Sequence, residues 1–116
     1  MTKGRIVLVP FPFDDLTGSK LRPAVCLTDP IGPHRHVVVA FVSSQMSAAV
    51  SATDVILDPL RKDFGATGLR LASVLRLHRL VTLTTTLIRR DMGKLSRDWQ
   101  DEVDQKLALL FQLGNR

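Results

Sequence analysis

One stretch of this 116-residue chain combines residue types and a spacing suited to phosphodiester chemistry: Ser73-Val74-Leu75-Arg76-Leu77-His78-Arg79-Leu80. Read as a β-strand, it puts Val74, Arg76, His78 and Leu80 on one face. Ser73, Leu75, Leu77 and Arg79 then lie on the other. Arg76 and His78 are thus expected to point the same way. Cleavage of RNA by its own 2′-hydroxyl needs a base, an acid for the leaving oxygen, and positive charge for the crowded phosphorane. Imidazole titrates near neutral pH and serves as base or acid. A guanidinium fork suits phosphate oxygens. The plainer reading of the same pattern is a solvated basic pair on an exposed strand face.

Three other groups are candidates. Arg22 follows a polar loop and starts an apolar run, where it would face either a groove or solvent. Ser43, Ser44 and Gln45 end the most apolar run of the chain. A serine nucleophile needs a neighbouring base, and the sequence shows none, so strand-end capping is the simpler role. His34-Arg35-His36 has His-x-His spacing, which can bind a metal. No cysteine or carboxylate follows at a third-ligand spacing, which favours a loop-end role. Asp14-Asp15 reads as turn chemistry rather than a catalytic carboxylate pair. Cys26, the only cysteine, lies in Pro23-Ala24-Val25-Cys26-Leu27 and reads as a small buried hydrophobe.

These residues must be held by short strands. Apolar, β-branched runs predict strands over 5–11, 22–28, 36–44, 53–57, 71–83 and 86–90. Turn-rich segments over 13–21, 29–35 and 58–68 separate them. The end of the chain changes period. Ser96 is a helix cap, Asp98, Asp101 and Glu102 favour the early turns, and Trp99, Val103, Leu107 and Leu110 form one apolar face. A helix over 97–113 is expected, stopped by Gly114. The sum is a mainly β domain over 1–116, a small barrel or sandwich covered by a C-terminal helix.

Sixteen Lys+Arg against eleven Asp+Glu give a net charge of +5, and eleven of the sixteen basic residues are Arg. That balance points to nucleic acid or an acidic protein partner, although a soluble surface with excess charge is the milder reading. A lone cysteine rules out an intramolecular disulfide. The longest apolar run, Val37 to Val42, is too short to span a bilayer, and no signal segment is recognisable at the N-terminus. A cytoplasmic protein is expected.

The order of motifs resembles the MazF/PemK family of toxins. Gly4-Arg5-Ile6-Val7-Leu8-Val9-Pro10-Phe11 resembles its opening strand, with Arg5 where an acidic residue is usual. Gly18-Ser19-Lys20-Leu21-Arg22-Pro23-Ala24-Val25 resembles its most specific segment. Val39-Ala40-Phe41-Val42-Ser43-Ser44-Gln45, Gly68-Leu69 with Ser73-Val74, and Gly93-Lys94-Leu95-Ser96 complete the set in order. The resemblance implies an SH3-like small β-barrel of the CcdB/MazF type and a homodimer. It also implies metal-independent cleavage of single-stranded RNA to a 2′,3′-cyclic phosphate, without a cofactor, and inhibition by a cognate antitoxin with an acidic tail. It makes Arg22 and Ser43 catalytic and sets Arg76 and His78 at an Arg-x-Asp pair, with His in place of the carboxylate. Lys20, Ser44, Gln45 and Arg79 become RNA contacts. Two alternatives share the barrel. One is a gyrase-inhibiting toxin acting through C-terminal residues such as Trp99. The other is an inactive barrel that binds RNA or antitoxin with strong salt dependence.

Overall fold

The computed structural model describes residues 2–11, 20–46 and 50–114. Asp14-Asp15 and Gly18-Ser19 lie outside the described residues. Six strands form one antiparallel sheet: β1 (Arg5–Phe11), β2 (Lys20–Cys26), β3 (His36–Ser43), β4 (Asp54–Leu57), β5 (Ser73–Thr84) and β6 (Arg90–Lys94). They run in the order β4-β5-β3-β2-β1-β6. One helix, α1 (Arg97–Leu110), follows, and 3-10 turns span Gly65–Thr67 and Thr85–Leu87. The sheet curls into a half-barrel, so the mainly β class with a C-terminal helix is what the sequence implies.

The central strands are apolar on both faces, which is why β3 reads as an almost continuous hydrophobic run. Along β2 and β3 side chains alternate between two cores. Ile6, Val25, Ala40 and Val42 enter one, with Leu75, Leu77, Leu95, Trp99 and Val103. Val7, Val9, Ala24, Cys26, Val37, Val39 and Phe41 enter the other, with Leu83. The first core is closed by the apolar face of α1. Trp99, which the gyrase-directed alternative would use as a contact, is fully buried there.

Several boundaries differ from the sequence reading, and three of the differences have a clear cause. β2 starts at Lys20 rather than 22, because Lys20 and Leu21 pair with Phe11 and Pro10. The last strand is 90–94 rather than 86–90. Thr85–Leu87 coils into a 3-10 turn, and β6 then pairs with β1 beyond a bulge at Ile6/Val7. Arg5 holds that edge by a two-pronged pair with Asp91, Nε and Nη2 donating at 3.0 and 2.8 Å. The helix ends at Leu110 rather than 113. Gln112 takes the left-handed conformation at φ 55, and Leu113 N donates to the Ala108 carbonyl at 2.8 Å. The stop therefore precedes Gly114.

The start of α1 is pinned as expected. The Ser96 hydroxyl accepts from Trp99 N at 3.2 Å and donates to Asp63 at 2.6 Å. Arg61 pairs with the same carboxylate at 2.7 Å while lying 4.2 Å from the Trp99 ring centre. Burial pushes the Asp63 carboxyl up, but the hydrogen bonds from Ser96 and Arg61 outweigh it and hold the group below its usual value. Among the described residues no helix is long and apolar enough to cross a membrane.

Cys26 is fully buried in the second core, and burial pushes its thiol from 9.0 up to about 11. The unfolded thiol ionises first as pH rises, so this contribution to stability is complete below pH 9 and disappears between 9 and about 11. Thermal melts at pH 8 and 10.5 are expected to show a larger alkaline loss in the wild type than in Cys26→Ala. Equal losses would remove Cys26 as the cause.

Candidate active site

The two halves of β5 are out of step. Leu80 pairs with Ala40, and Leu75 pairs with Val42, so β5 advances five positions while β3 advances two. The surplus of three is odd, and an odd surplus reverses which face each side chain takes. Leu75 and Leu77 lie in the first core before this bulge, and Leu80 lies against the same core after it. Val81 and Leu83 belong to the second. The simple alternation over 73–80 therefore fails in the middle: Arg76 and Arg79 share one side of the sheet, and His78 is exposed in the irregular stretch between them.

Phe11, Arg22, Phe41, Val42, Ser43, Gln45, Arg76 and Arg79 line a cleft of about 220 Å³ there. Each residue has a traceable reason to be present. Phe11 ends β1, and its ring stands 4.7 Å from that of Phe41, tilted by 56°. Arg22 lies opposite Val9 in the β1–β2 pair. The β2–β3 pair matches Ala24 with Phe41, and the same register continued two residues sets Arg22 across from Ser43. The Ser43 hydroxyl accepts from Gln45 N at 3.0 Å, the strand-end turn that its sequence position implies, and its own proton is left to donate. The Arg79 guanidinium lies 5.7 Å from the Phe11 ring centre.

Arg76 is held from behind. Its Nη1 donates to Asp54 Oδ2 at 2.9 Å, with side chains 13% and 0% exposed. Asp54 was not among the candidates from sequence. Its one signal was a carboxylate opening the apolar run Asp54-Val55-Ile56-Leu57, and only the β4–β5 register, which pairs Asp54 with Arg76, shows its use.

Of the residues singled out from sequence, the cleft gathers Arg22, Ser43, Gln45, Arg76 and Arg79. Ser44 turns to a neighbouring hollow with Arg22, Arg70, Leu71 and Ser73. Lys20 is exposed at the start of β2, and His78 is exposed on β5; neither lines the cleft. His34 and His36 flank the left-handed Arg35 at the entry to β3, their rings 6.0 Å apart. Three guanidiniums around one concave surface, next to a hydroxyl and an amide, make a receptor for phosphate oxygens in an electropositive field. The described lining contains no carboxylate and no imidazole.

Over residues 2–111 the sequence matches the profile of a family described as PemK-like, MazF-like toxin of type II toxin-antitoxin system. The chain belongs to this family. Solved structures share its fold. The Mycobacterium tuberculosis toxin MazF-mt6 superposes with a TM-score of 0.73 at 22% identity, covering 96% of this chain and 99% of that one. MazF from Deinococcus radiodurans superposes with a TM-score of 0.68 at 19% identity, covering 97% of each chain. A mycobacterial endoribonuclease in complex with its cognate antitoxin gives a TM-score of 0.69 at 14% identity, covering 100% of this chain and 99% of that one. No curated protein matches the sequence significantly.

Membership also gives two of the toxin's sequence motifs a packing reason. Gly68 and Gly93 meet across one contact. A methyl group on Gly68 would run into the Met92 carbonyl, and one on Gly93 would run into the Ala66 carbonyl and approach the Thr67 carbonyl carbon to 2.7 Å. The first 3-10 turn and β6 thus touch backbone to backbone, closing the first core near Met92.

Proposed function

We propose that this toxin is a metal-independent endoribonuclease that cuts single-stranded RNA, mRNA among its targets, through attack of the 2′-hydroxyl on the adjacent phosphorus. The bond from O2′ to phosphorus forms as the bond to O5′ breaks, leaving a 2′,3′-cyclic phosphate and a 5′-hydroxyl. What carries the reading is the single cleft in which Arg22, Arg76 and Arg79 surround Ser43. Arg22 stabilises the phosphorane and gives a proton or a strong hydrogen bond to the departing O5′. The Ser43 hydroxyl donates to a non-bridging oxygen. Arg76 adds charge to the phosphorane, Arg79 and Gln45 hold the flanking nucleotides, and the Phe11 ring offers a surface for a base to stack. Lys20 and Ser44 extend the basic and polar track beyond the cleft. His78, exposed between Arg76 and Arg79 in sequence, is the imidazole offered to the 2′-hydroxyl proton. Its place outside the lining makes it a weaker contributor than Arg22.

The same cleft is a site for an acidic peptide. The chain carries +5, and antitoxin complexes are known for the mycobacterial endoribonuclease and for the Deinococcus radiodurans MazF. A cognate antitoxin with an acidic tail would compete with RNA for the three arginines. A homodimer acting in the cytoplasm completes the proposal.

The test is incubation of purified protein with mixed-sequence RNA in EDTA. Discrete cuts ending in 2′,3′-cyclic phosphate are expected. Intact RNA across diverse sequences would overturn the reading in favour of a barrel that only binds.

A further inference from the structure

Asp54 is a costly residue for its position. Its side chain is fully buried at the start of an apolar strand, where an aliphatic residue would satisfy the fold without desolvating a charge. Oδ2 accepts from Arg76 Nη1 at 2.9 Å and from Ser51 N at 2.8 Å, while Oδ1 has no hydrogen-bond partner among the described residues. Its main-chain carbonyl accepts from Lys106 Nζ at 2.6 Å, and Lys106 also pairs with Glu102 at 2.9 Å on α1. Asp54 is therefore tied to β5, to the loop before β4 and to the helix at once. It does not line the cleft, so it cannot meet RNA directly.

An arginine side chain has many rotamers, and charge stabilises a transition state best when its position is settled beforehand. A buried carboxylate behind the guanidinium settles it and leaves the other N–H donors of Arg76 for phosphate oxygens.

We propose that Asp54 is a positioning residue: it holds the Arg76 guanidinium ready in the cleft, and its carbonyl anchors that corner of the sheet to α1 through Lys106. The inference rests on the ribonuclease reading for its effect on rate, but not for its effect on Arg76 itself.

The experiment compares the wild type, Asp54→Leu, Asp54→Asn, Arg76→Leu and the double Asp54→Leu/Arg76→Leu variant. Asp54→Leu is expected to lower the saturated cleavage rate roughly tenfold to a hundredfold, with KM much less changed. Asp54→Asn, which keeps an acceptor for Nη1, is expected to restore part of that loss. The double variant should be no slower than Arg76→Leu alone, because Asp54 acts only through Arg76. The side-chain 15N resonances of Arg76 should be dispersed in the wild type and averaged in Asp54→Leu. Should Asp54→Leu fail to fold, Asp54→Asn still decides the matter: a rate between those of the wild type and Arg76→Leu, with partly averaged Arg76 resonances, supports the proposal, and an unchanged rate with unchanged Arg76 resonances overturns it. Additive losses, or an Asp54→Leu variant that folds with unchanged rate and unchanged Arg76 resonances, would overturn the proposal. A wild type that cleaves no RNA overturns the ribonuclease reading and the rate effect with it. The Arg76 resonances then decide independently whether Asp54 holds the guanidinium.

Discussion

Arg22→Ala is expected to slow RNA cleavage by roughly 10²–10³-fold, the usual consequence of removing one donor from a developing oxyanion. The fold should hardly notice. Arg22 is exposed and makes no ion pair among the described residues, and surface changes of that kind stay within about 0.5 kcal/mol. The contrast with His78 is the informative part. A general base within reach contributes roughly 10²–10⁴-fold, but His78 is exposed and absent from the lining of the cleft. His78→Ala should therefore cost about tenfold at most. Single-turnover rates in EDTA, with melting curves on the same samples, give both numbers. An Arg22→Ala variant with wild-type rate would sink the assigned chemistry. A His78→Ala loss as large as that of Arg22→Ala would mean that the imidazole swings into the cleft when RNA binds.

Gly68→Ala should be among the most damaging single-methyl changes to the fold. Gly68 has φ +76, and left-handed backbone costs a non-glycine residue about 1–2 kcal/mol. The new methyl would also meet the Met92 carbonyl and lie 2.9 Å from the Met92 carbonyl carbon, where neither backbone can yield alone. Overpacking adds roughly 1–3 kcal/mol. The sum, about 2–5 kcal/mol, is a large part of a total stability of about 5–15 kcal/mol. A fall in melting temperature of roughly 10 °C or more is expected. Gly65→Ala is the internal control. It lies three residues earlier in the same turn, with nothing within 4 Å of an added methyl. Equal melting temperatures for the two variants would refute the argument.

Much of this molecule is legible in its sequence where local chemistry and tertiary use agree. β1 and β3 are continuous apolar runs because both of their faces are buried, and Ser96 starts α1 because its hydroxyl caps Trp99 N. The position of β6 is not legible because Arg90-Asp91-Met92-Gly93-Lys94 is a polar edge strand. Its pairing with β1 is fixed by backbone and by Arg5–Asp91, neither of which leaves a periodic signal. The sequence points to Gly114 for the helix stop, the residue type that usually provides it, while Gln112 adopts the left-handed turn first. In the cleft, Arg22 and Ser43 stand out by the motifs that carry them, and both belong to the lining. Asp54 does not stand out in the sequence, because its meaning lies in a cross-strand register and pairing partners are not written in any one strand. Simple alternation pairs His78 with Arg76, but it does not hold through a segment where the strand gains residues.

The bulge in β5 has a consequence for how this segment tolerates change of length. Between its two paired halves β5 carries an odd surplus of residues over β3, so the segment behaves like a half-step in a repeating pattern. Adding or deleting one residue among 76–79 would exchange inward and outward positions on one side of the change, turning an arginine toward the core or a leucine toward solvent. Adding or deleting two would leave every facing intact. Natural variation in this stretch should therefore come in pairs of residues, and an alignment that opens a one-residue gap here would equate side chains that face opposite ways.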